Sequence, residues 1–419
     1  MSSEWKSVRL DEVASTNPEG VRSISEDQQI QYIDISALPK GGLIDSALCA
    51  SYRFSDAPSR ARRLVRAGDI VVSLVRPSNR NIGRVPVSLD GQIASTGTTV
   101  IRPKANHVQA DFLWATLRSQ ELFDHLVSRE TGSNYPAVKV ADLHDFEFLL
   151  PPVSEQKAIA EVLGSLDERI EWCASLQNVL HQLGATALEE ALASEGMTAS
   201  RPLAKSKAIA LGELLEALES GSRPKGGVGG IQSGIPSVGA ESIERAGYFD
   251  YGKTRYVSQE FFGQMRRGHV QDFDVLVYKD GGRPGEFIPH VSLAGSGHPF
   301  GEFAINDHVY RVRVRHPYSQ SVLYFWLRTP QSTEEMAMRG TGAAQPGLNQ
   351  ANFRDVPLPL LSEARLGALD AELSALLRLV LHLGVEQRKL SELRDSLLPK
   401  LVSGEVHIPD PQVLLEPVG

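Results

Sequence analysis

The sequence predicts an α+β fold built twice over: two α/β domains separated by two long helices that pair as an antiparallel coiled coil about a pseudo-twofold axis. Three observations carry this. Two stretches bear unbroken heptad stripes, behind Ser154 and again from Leu366 to Leu401. Between and before them lie two segments of mixed strand and helix character. Those two segments repeat one another at an offset of about 210 residues, as do the two heptad stretches.

The first segment opens with VRLDEV, a short strand or helix start. In QYIDISALPKGGLI, alternation around Tyr32–Ile35 predicts a strand ending in a turn at Gly41-Gly42. Gly68-Asp69 is a turn, and Ile70 to Val75 a buried strand interrupted by Ser73. Residues 93–103 predict one further strand. Residues 110–129 predict one helix, with Phe112, Leu113, Leu117, Leu122 and Leu126 on its apolar face. After the GSNYP loop, VADLHDFEFLL supplies the last strand.

Pro151-Pro152 ends that strand, because proline fixes φ and keeps the residue before it out of the helical region. Ser154 stands where an N-cap is expected, with Glu155 in the first turn suiting the helix dipole. Ile159, Leu163, Leu166, Ile170 and Cys173 then recur at steps of 4 and 3, the period of a coiled-coil seam. A helix from Ser154 to about Leu192 would be ~58 Å long at 1.5 Å per residue, a natural spacer between globular units. The second stripe runs through Leu366, Leu369, Leu373, Leu376, Val380, Leu383, Gln387, Leu390, Arg394, Leu397 and Leu401. At the offset of 210, Leu163, Leu166, Ile170, Cys173, Gln177 and Leu180 meet Leu373, Leu376, Val380, Leu383, Gln387 and Leu390. One glutamine in each seam, Gln177 and Gln387, would fix register near the middle of the pair.

The globular halves repeat as well. Residues 99–119 align with 309–329 at 210, and Thr131, Gly132, Pro136 and Ala141 fall on Thr341, Gly342, Pro346 and Ala351. Asp69 falls on Asp274 at 205. Loop lengths and loop residues differ between these anchors, as expected of one scaffold carrying two versions of a recognition surface. The boundaries this gives are 1–150, 151–200, 201–358 and 359–419.

Composition excludes several classes. The 419 residues are 42% hydrophobic and 22% charged, ordinary for a soluble protein, with no apolar run long enough for a membrane span and no basic-then-apolar leader. Two distant cysteines, Cys49 and Cys173, exclude a disulfide framework and a cysteine zinc site, so a cytoplasmic location is expected. The formal net charge of −8 argues against a polyanion partner until it is divided. The four segments carry −1, −6, +2 and −3, so the excess lies in the helices and the globular segments are near neutral.

Catalytic motifs are missing. There is no Asn/Asp-Pro-Pro-aromatic loop for adenine methylation and no phosphate-binding glycine loop. GGVGG at 226–230 has no strand before it and no helix after it. His290, His298 and His308 are read as ordinary polar residues, and no metal ligands are expected.

What remains are basic and amide-bearing loops. RPSNRNIGR offers Arg76, Asn79, Arg80, Asn81 and Arg84; a second loop adds Tyr135 and Lys139. The matching loops of the second half offer Lys279, Arg283, Gln345 and Asn349. Arginine and asparagine can pair bidentately with guanine and adenine edges, while Lys and Arg neutralise phosphates.

PPVSEQKAIAEVLGSLDERIE (151–171) resembles the central conserved region of the specificity subunits of Type I restriction–modification enzymes, and LLPKLVSGEVHIPD (397–410) resembles the end of their second conserved region. The second seam departs from the pattern, with Glu363-Ala364 where Glu155-Gln156 stand in the first. The resemblance implies a non-catalytic DNA-recognition subunit with two target-recognition domains, each reading half of a split, asymmetric site in double-stranded DNA. It implies methyltransferase subunits, two of them, docking on helices and domains, and restriction motor-nuclease subunits joining the complex. S-adenosylmethionine, ATP and magnesium would belong to those partners, with no cofactor on this chain. Glu155, Gln156, Ile159, Leu163, Leu166, Ile170, Gln177, Leu373, Leu376, Val380, Gln387 and Leu390 are then the expected helix-pair and partner surface. The alternative the residues leave open is an accessory factor or specificity module of another modification or defence system, or a duplicated enzyme that does not bind DNA.

Overall fold

A computed structural model describes residues 5–21, 24–132, 134–280, 287–340 and 346–408. Its contacts divide the chain into two units, residues 1–168 with 391–419 and residues 169–390. Two long helices, a central helix Val153–Ser194 and a C-terminal helix Glu363–Val402, each contribute to both.

In the first unit, Lys6–Arg9 pairs antiparallel with Glu147–Leu150. A five-stranded sheet follows the order Ala14–Thr16, Thr98–Pro103, Ile70–Ser73, Ile82–Arg84, Lys40–Leu43. A four-stranded sheet follows Ala50–Arg53, Gln29–Ile33, Ile93–Ser95, Ala61–Leu64. Ile70–Ser73 is buried on both faces: Ile70 and Val72 pack toward the helices, Val71 toward Ile33, Val65 and Val100. That is why Ile70–Val72 reads as an apolar run without alternation.

The second unit repeats this register. The bonded pair Arg9↔Glu147 returns as Ala210↔Pro357, and Leu10 N–H to Phe146 carbonyl as Leu211 N–H to Val356 carbonyl. Ile70↔Ile101 returns as Val275↔Val312. Strand Thr98–Pro103 is therefore offset by 211 from Val309–Val314, not by the 210 that the following helices keep, and the difference is taken up in the loop before the helix. With that shift Arg102 falls on Arg313. Each donates through Nε to the aspartate of the neighbouring strand, Asp69 and Asp274, both at 2.7 Å. Each aspartate also accepts the backbone N–H three residues before it, Arg66 and Gln271, both at 2.7 Å. The second unit's sheets are Leu215–Ser220, Val309–Val314, Val275–Tyr278, Val291–Leu293 and Arg255–Val257, Ile235–Val238, Ala304–Ile305.

Several expected elements are divided. Residues 110–129 form two helices, Ala110–Leu117 and Gln120–Val127, although all five expected apolar residues are buried. The repeat held the signal, since Gln120 falls on Pro330, which opens Pro330–Met338 and cannot continue the helix before it. Residues 93–103 form two strands in different sheets, parted at Thr96-Gly97. Gly41-Gly42 is not a terminal turn but part of strand Lys40–Leu43. The strand before it stops earlier, where Asp34 Oδ1 accepts the Ile35 N–H at 2.8 Å and opens a 3-10 turn. Gly41 has φ +105° at a bulge, and a side chain there would press on Arg118. Ser154 is not the cap of the central helix. The helix starts one residue earlier, with Gln156 N–H donating to Pro152 carbonyl at 2.9 Å.

The two long helices run antiparallel. In the first unit Glu155 meets His407 at 2.7 Å and Asp167 meets Arg394 at 3.1 Å; in the second, Arg169 meets Glu386 and Gln177 meets Val380. The buried face is wider than a two-position seam. Leu377 and Leu381, off the seam, are as buried as Leu373 and Val380. Each helix packs on its partner and on a globular core at once, which needs a broad stripe. Ile159 and Leu163 share the first core with Leu398 and Leu401. Their equivalents Leu369 and Leu373 share the second with Leu188 and Ala191. Each unit is thus closed by the start of one long helix and the end of the other.

How the helices are fastened differs. In the first unit Asp167 bridges Arg118, at 2.7 Å, and Arg394, at 3.1 Å. The equivalent three positions of the second are Leu377, Arg328 and Gly184. Leu377 is buried, Gly184 admits the Phe325 ring, and Arg328 turns to the carbonyls of Glu244 and Val291. No helix among the described residues is long and apolar enough to cross a membrane.

Candidate nucleic-acid interface

Strand Ile70–Ser73 ends because the Ser73 hydroxyl turns back, donating to Val75 carbonyl at 2.8 Å and accepting the Val75 N–H at 3.2 Å. The chain then enters the left-handed region at Arg76 (φ +49°) and again at Arg80 (φ +56°), a conformation few non-glycine residues hold without surrounding support. The support is the second candidate loop. Val138 N–H donates to Leu74 carbonyl at 2.9 Å and Arg76 N–H to Pro136 carbonyl at 2.8 Å. These two bonds bring RPSNRNIGR and the Tyr135 loop together.

The side chains divide into two kinds. The Arg76 guanidinium lies over the Tyr135 ring at 5.3 Å, and Tyr135 is 74% exposed, so a cation and an aromatic face stand together in solvent. Asn79 and Lys139 are exposed and Asn81 half-buried. Arg80 turns inward, donating to Gln120 Oε1 at 2.9 Å and Arg118 carbonyl at 3.1 Å and lying over the Phe123 ring. Arg84 pairs with Asp111 at 2.6 Å. Burial opposes ionisation of Asp111, but hydrogen bonds from Gln109 and Arg84 outweigh it and hold the carboxyl below its ordinary range.

The second unit repeats the join. Leu348 N–H donates to Lys279 carbonyl at 2.5 Å, and the bridge Val75↔Ala137 returns as Asp280↔Gly347. Lys279 donates to Asp280 at 2.8 Å, and Asp280 also binds the His308 ring. Asn349, at the position of Lys139, caps Gln350–Arg354 by accepting the Asn352 N–H at 2.8 Å. Arg283 and Gln345 lie outside the described residues.

On the helices, Glu155 accepts from Trp5 Nε1 at 2.9 Å besides meeting His407, and is mostly covered. Gln156 is buried, accepting the Gln109 N–H at 2.8 Å and donating to Pro151 carbonyl at 2.7 Å. Gln177 is buried and donates to the carbonyls of Gly247 and Val380. Ile159, Leu163, Leu373 and Val380 are buried; Leu166, Ile170, Leu376, Gln387 and Leu390 are half-buried. The solvent-facing apolar residues are others, among them Trp172, Val179, Leu183 and Leu379. The pairing of Asp69 with Arg102 and of Asp274 with Arg313 was hidden in the sequence by the one-residue shift in offset.

Residues 2–182 match the family described as Type I restriction modification DNA specificity domain. The chain is similar to the Type I restriction enzyme HindI specificity subunit of Haemophilus influenzae, at 22% identity over 471 residues, covering 96% of this chain and 100% of that one. Among solved structures it is similar to the Type I restriction-modification S subunit from M. genitalium, with a TM-score of 0.52, 16% identity, and 95% and 96% of the two chains covered. It is also similar to the HsdS subunit from Thermoanaerobacter tengcongensis, with a TM-score of 0.39, 24% identity, and 96% and 97% covered.

Proposed function

We propose, from the premise that the chain belongs to the specificity subunits of Type I restriction–modification systems, that it recognises a bipartite, asymmetric site in double-stranded DNA and directs methyltransferase and restriction subunits to it. The observation that carries this reading is the repeated join. Leu74 with Val138, and Lys279 with Leu348, are the same backbone bond in two units, and each joins the segments at the base of two polar loops. Two loop pairs on one scaffold, differing in residues, fit two readers of different half-sites.

In this reading the exposed groups Arg76, Asn79, Asn81, Tyr135 and Lys139 meet DNA, with Lys279, Arg283, Gln345 and Asn349 their counterparts. Arg80 and Arg84 shape the first loop from behind. The long helices set the gap between half-sites and receive two methyltransferase subunits. The chain itself catalyses nothing, and S-adenosylmethionine, ATP and magnesium act on its partners.

The test is modification mapping. The chain is co-expressed with the methyltransferase subunit of its own system, and methylated adenines are located by long-read sequencing. A split motif with a fixed gap is expected, and exchanging residues 1–150 for those of a related subunit changes one half of it. Neither methylation nor salt-sensitive duplex binding by the complex would refute the reading. Methyl transfer by the purified chain alone would refute the non-catalytic part.

A further inference from the structure

Each unit carries a polar cleft at the same place in its smaller sheet. In the first it is lined by Tyr32, Asp34, Ser36, Ala50, Tyr52 and Arg60 among others, with a volume of about 380 Å³. In the second, Arg223, Ser237, Glu241, Arg255 and Asn306 line one of about 210 Å³. Strand register makes the places equivalent. Tyr32 stands opposite Ala50 and beside Ile93; Ser237 stands opposite Arg255 and beside Ala304. Tyr32 therefore corresponds to Ser237 and Ala50 to Arg255. Ser36 and Glu241 are both the middle residue of the 3-10 turn that follows.

The scaffold pair of aspartate and arginine is identical in the two units, whereas every matched cleft position differs. One arrangement is nevertheless shared. Asp34 corresponds to Gly239, and the Glu241 carboxylate lies over Gly239, where a side chain would run into it. Each cleft thus presents one carboxylate at the same point. Each also presents one exposed arginine, Arg60 or Arg255, that forms no ion pair among the described residues. Neither arginine closes on its own cleft's carboxylate. An occupant that satisfies both must offer acceptors to the guanidinium and a donor to the carboxylate. The major-groove edge of a G·C pair does this, with guanine O6 and N7 as acceptors and cytosine N4 as donor.

We propose that these clefts read one G·C pair in each half of the DNA site, with Arg60 and Arg255 on guanine and Asp34 and Glu241 on cytosine. This rests on the reading given above and adds the residues and the base pair. The test uses the assembled complex with its methyltransferase subunits, and motif mapping of the wild type, Arg60→Ala, Arg60→Lys, Arg255→Ala and Glu241→Gln. Discrimination at one G·C position of one half-site is expected to fall on the order of 10- to 100-fold in each variant. The other half-site, unchanged in the same molecules, reports that the complex has assembled. Arg60→Lys keeps charge but not the bidentate fork, and is expected to relax the same position as Arg60→Ala. An unaltered motif in all variants overturns the proposal. So does a uniform loss of affinity across sequences, which marks phosphate contacts, or a wild-type motif lacking G·C in either half. A wild type with no split motif defeats the underlying reading instead.

Discussion

Arg102 grips Asp69 through two nitrogens, Nε at 2.7 Å and Nη2 at 2.8 Å, and the aspartate is almost wholly buried. Removing one member of such a pair strands a buried charge or polar group. Arg102→Ala is expected to destabilise the first unit by about 3–5 kcal/mol. Hydrogen exchange checks this, with protection lost in Ile70–Ser73 and Thr98–Pro103 while the second unit is unaffected. Arg313→Ala is expected to act in the second unit instead.

Two glycines of the central helix are expected to respond with opposite sign. Nothing lies near a side chain added at Gly164, so Gly164→Ala should stabilise by about 0.5–1 kcal/mol through helix propensity. A side chain at Gly184 would run into the Phe325 ring, so Gly184→Ala should destabilise by about 1–3 kcal/mol. Denaturant midpoints of the two variants, measured side by side, decide it.

The long helices start at Val153 and Glu363, so at that offset of 210 the buried Gln156 falls on Leu366, also buried, and not on Ala364, which the motif match sets two residues out of step. The symmetry tempts one to exchange them. Gln156→Leu should nevertheless lose about 1–3 kcal/mol, because the Gln109 N–H would be left without its acceptor. Urea unfolding compared with Leu366→Met, a volume-conserving control, tests this.

The second unit holds one buried imidazole, His298, and one half-buried, His181. Burial, with a small addition from Arg388, pushes His298 down to about 4; burial chiefly does the same to His181. Both are lowered below the ordinary value, so the unfolded chain takes up protons first. The stability they preserve is complete above about pH 6.5 and is lost as pH falls toward 4. His298→Leu should remove about 1–2 kcal/mol of the loss seen at pH 5. Hydrogen exchange of the second unit at pH 7 and pH 5, corrected for intrinsic rates, measures it.

The duplicated architecture and the antiparallel helices were legible because they rest on long periodic signals: heptad spacing, and anchors such as Leu117-Arg118 against Leu327-Arg328. Local breaks were not. Asp34 ends a strand by accepting its neighbour's N–H, and Ser73 ends another by bonding Val75, neither of which disturbs hydrophobic spacing. The helix break after Arg118 was visible only through Pro330 in the other half. For the interface, sequence named the loop residues but could not separate Arg76, which lies in solvent over Tyr135, from Arg84, which is spent on Asp111. The clefts escaped notice because Asp34, Arg60, Glu241 and Arg255 converge only once the sheet has formed.

The bridge of Arg118 and Arg394 on Asp167, set against Leu377 and Phe325 in the other unit, gives the molecule two mountings of unlike material. The ionic one is mostly buried, so salt screens it little, and it holds its strength in the cold. The apolar one ignores salt and weakens on cooling. The stiffness with which each globular domain rides on its helices should therefore respond differently to temperature, and cooling loosens the second unit's mounting while sparing the first.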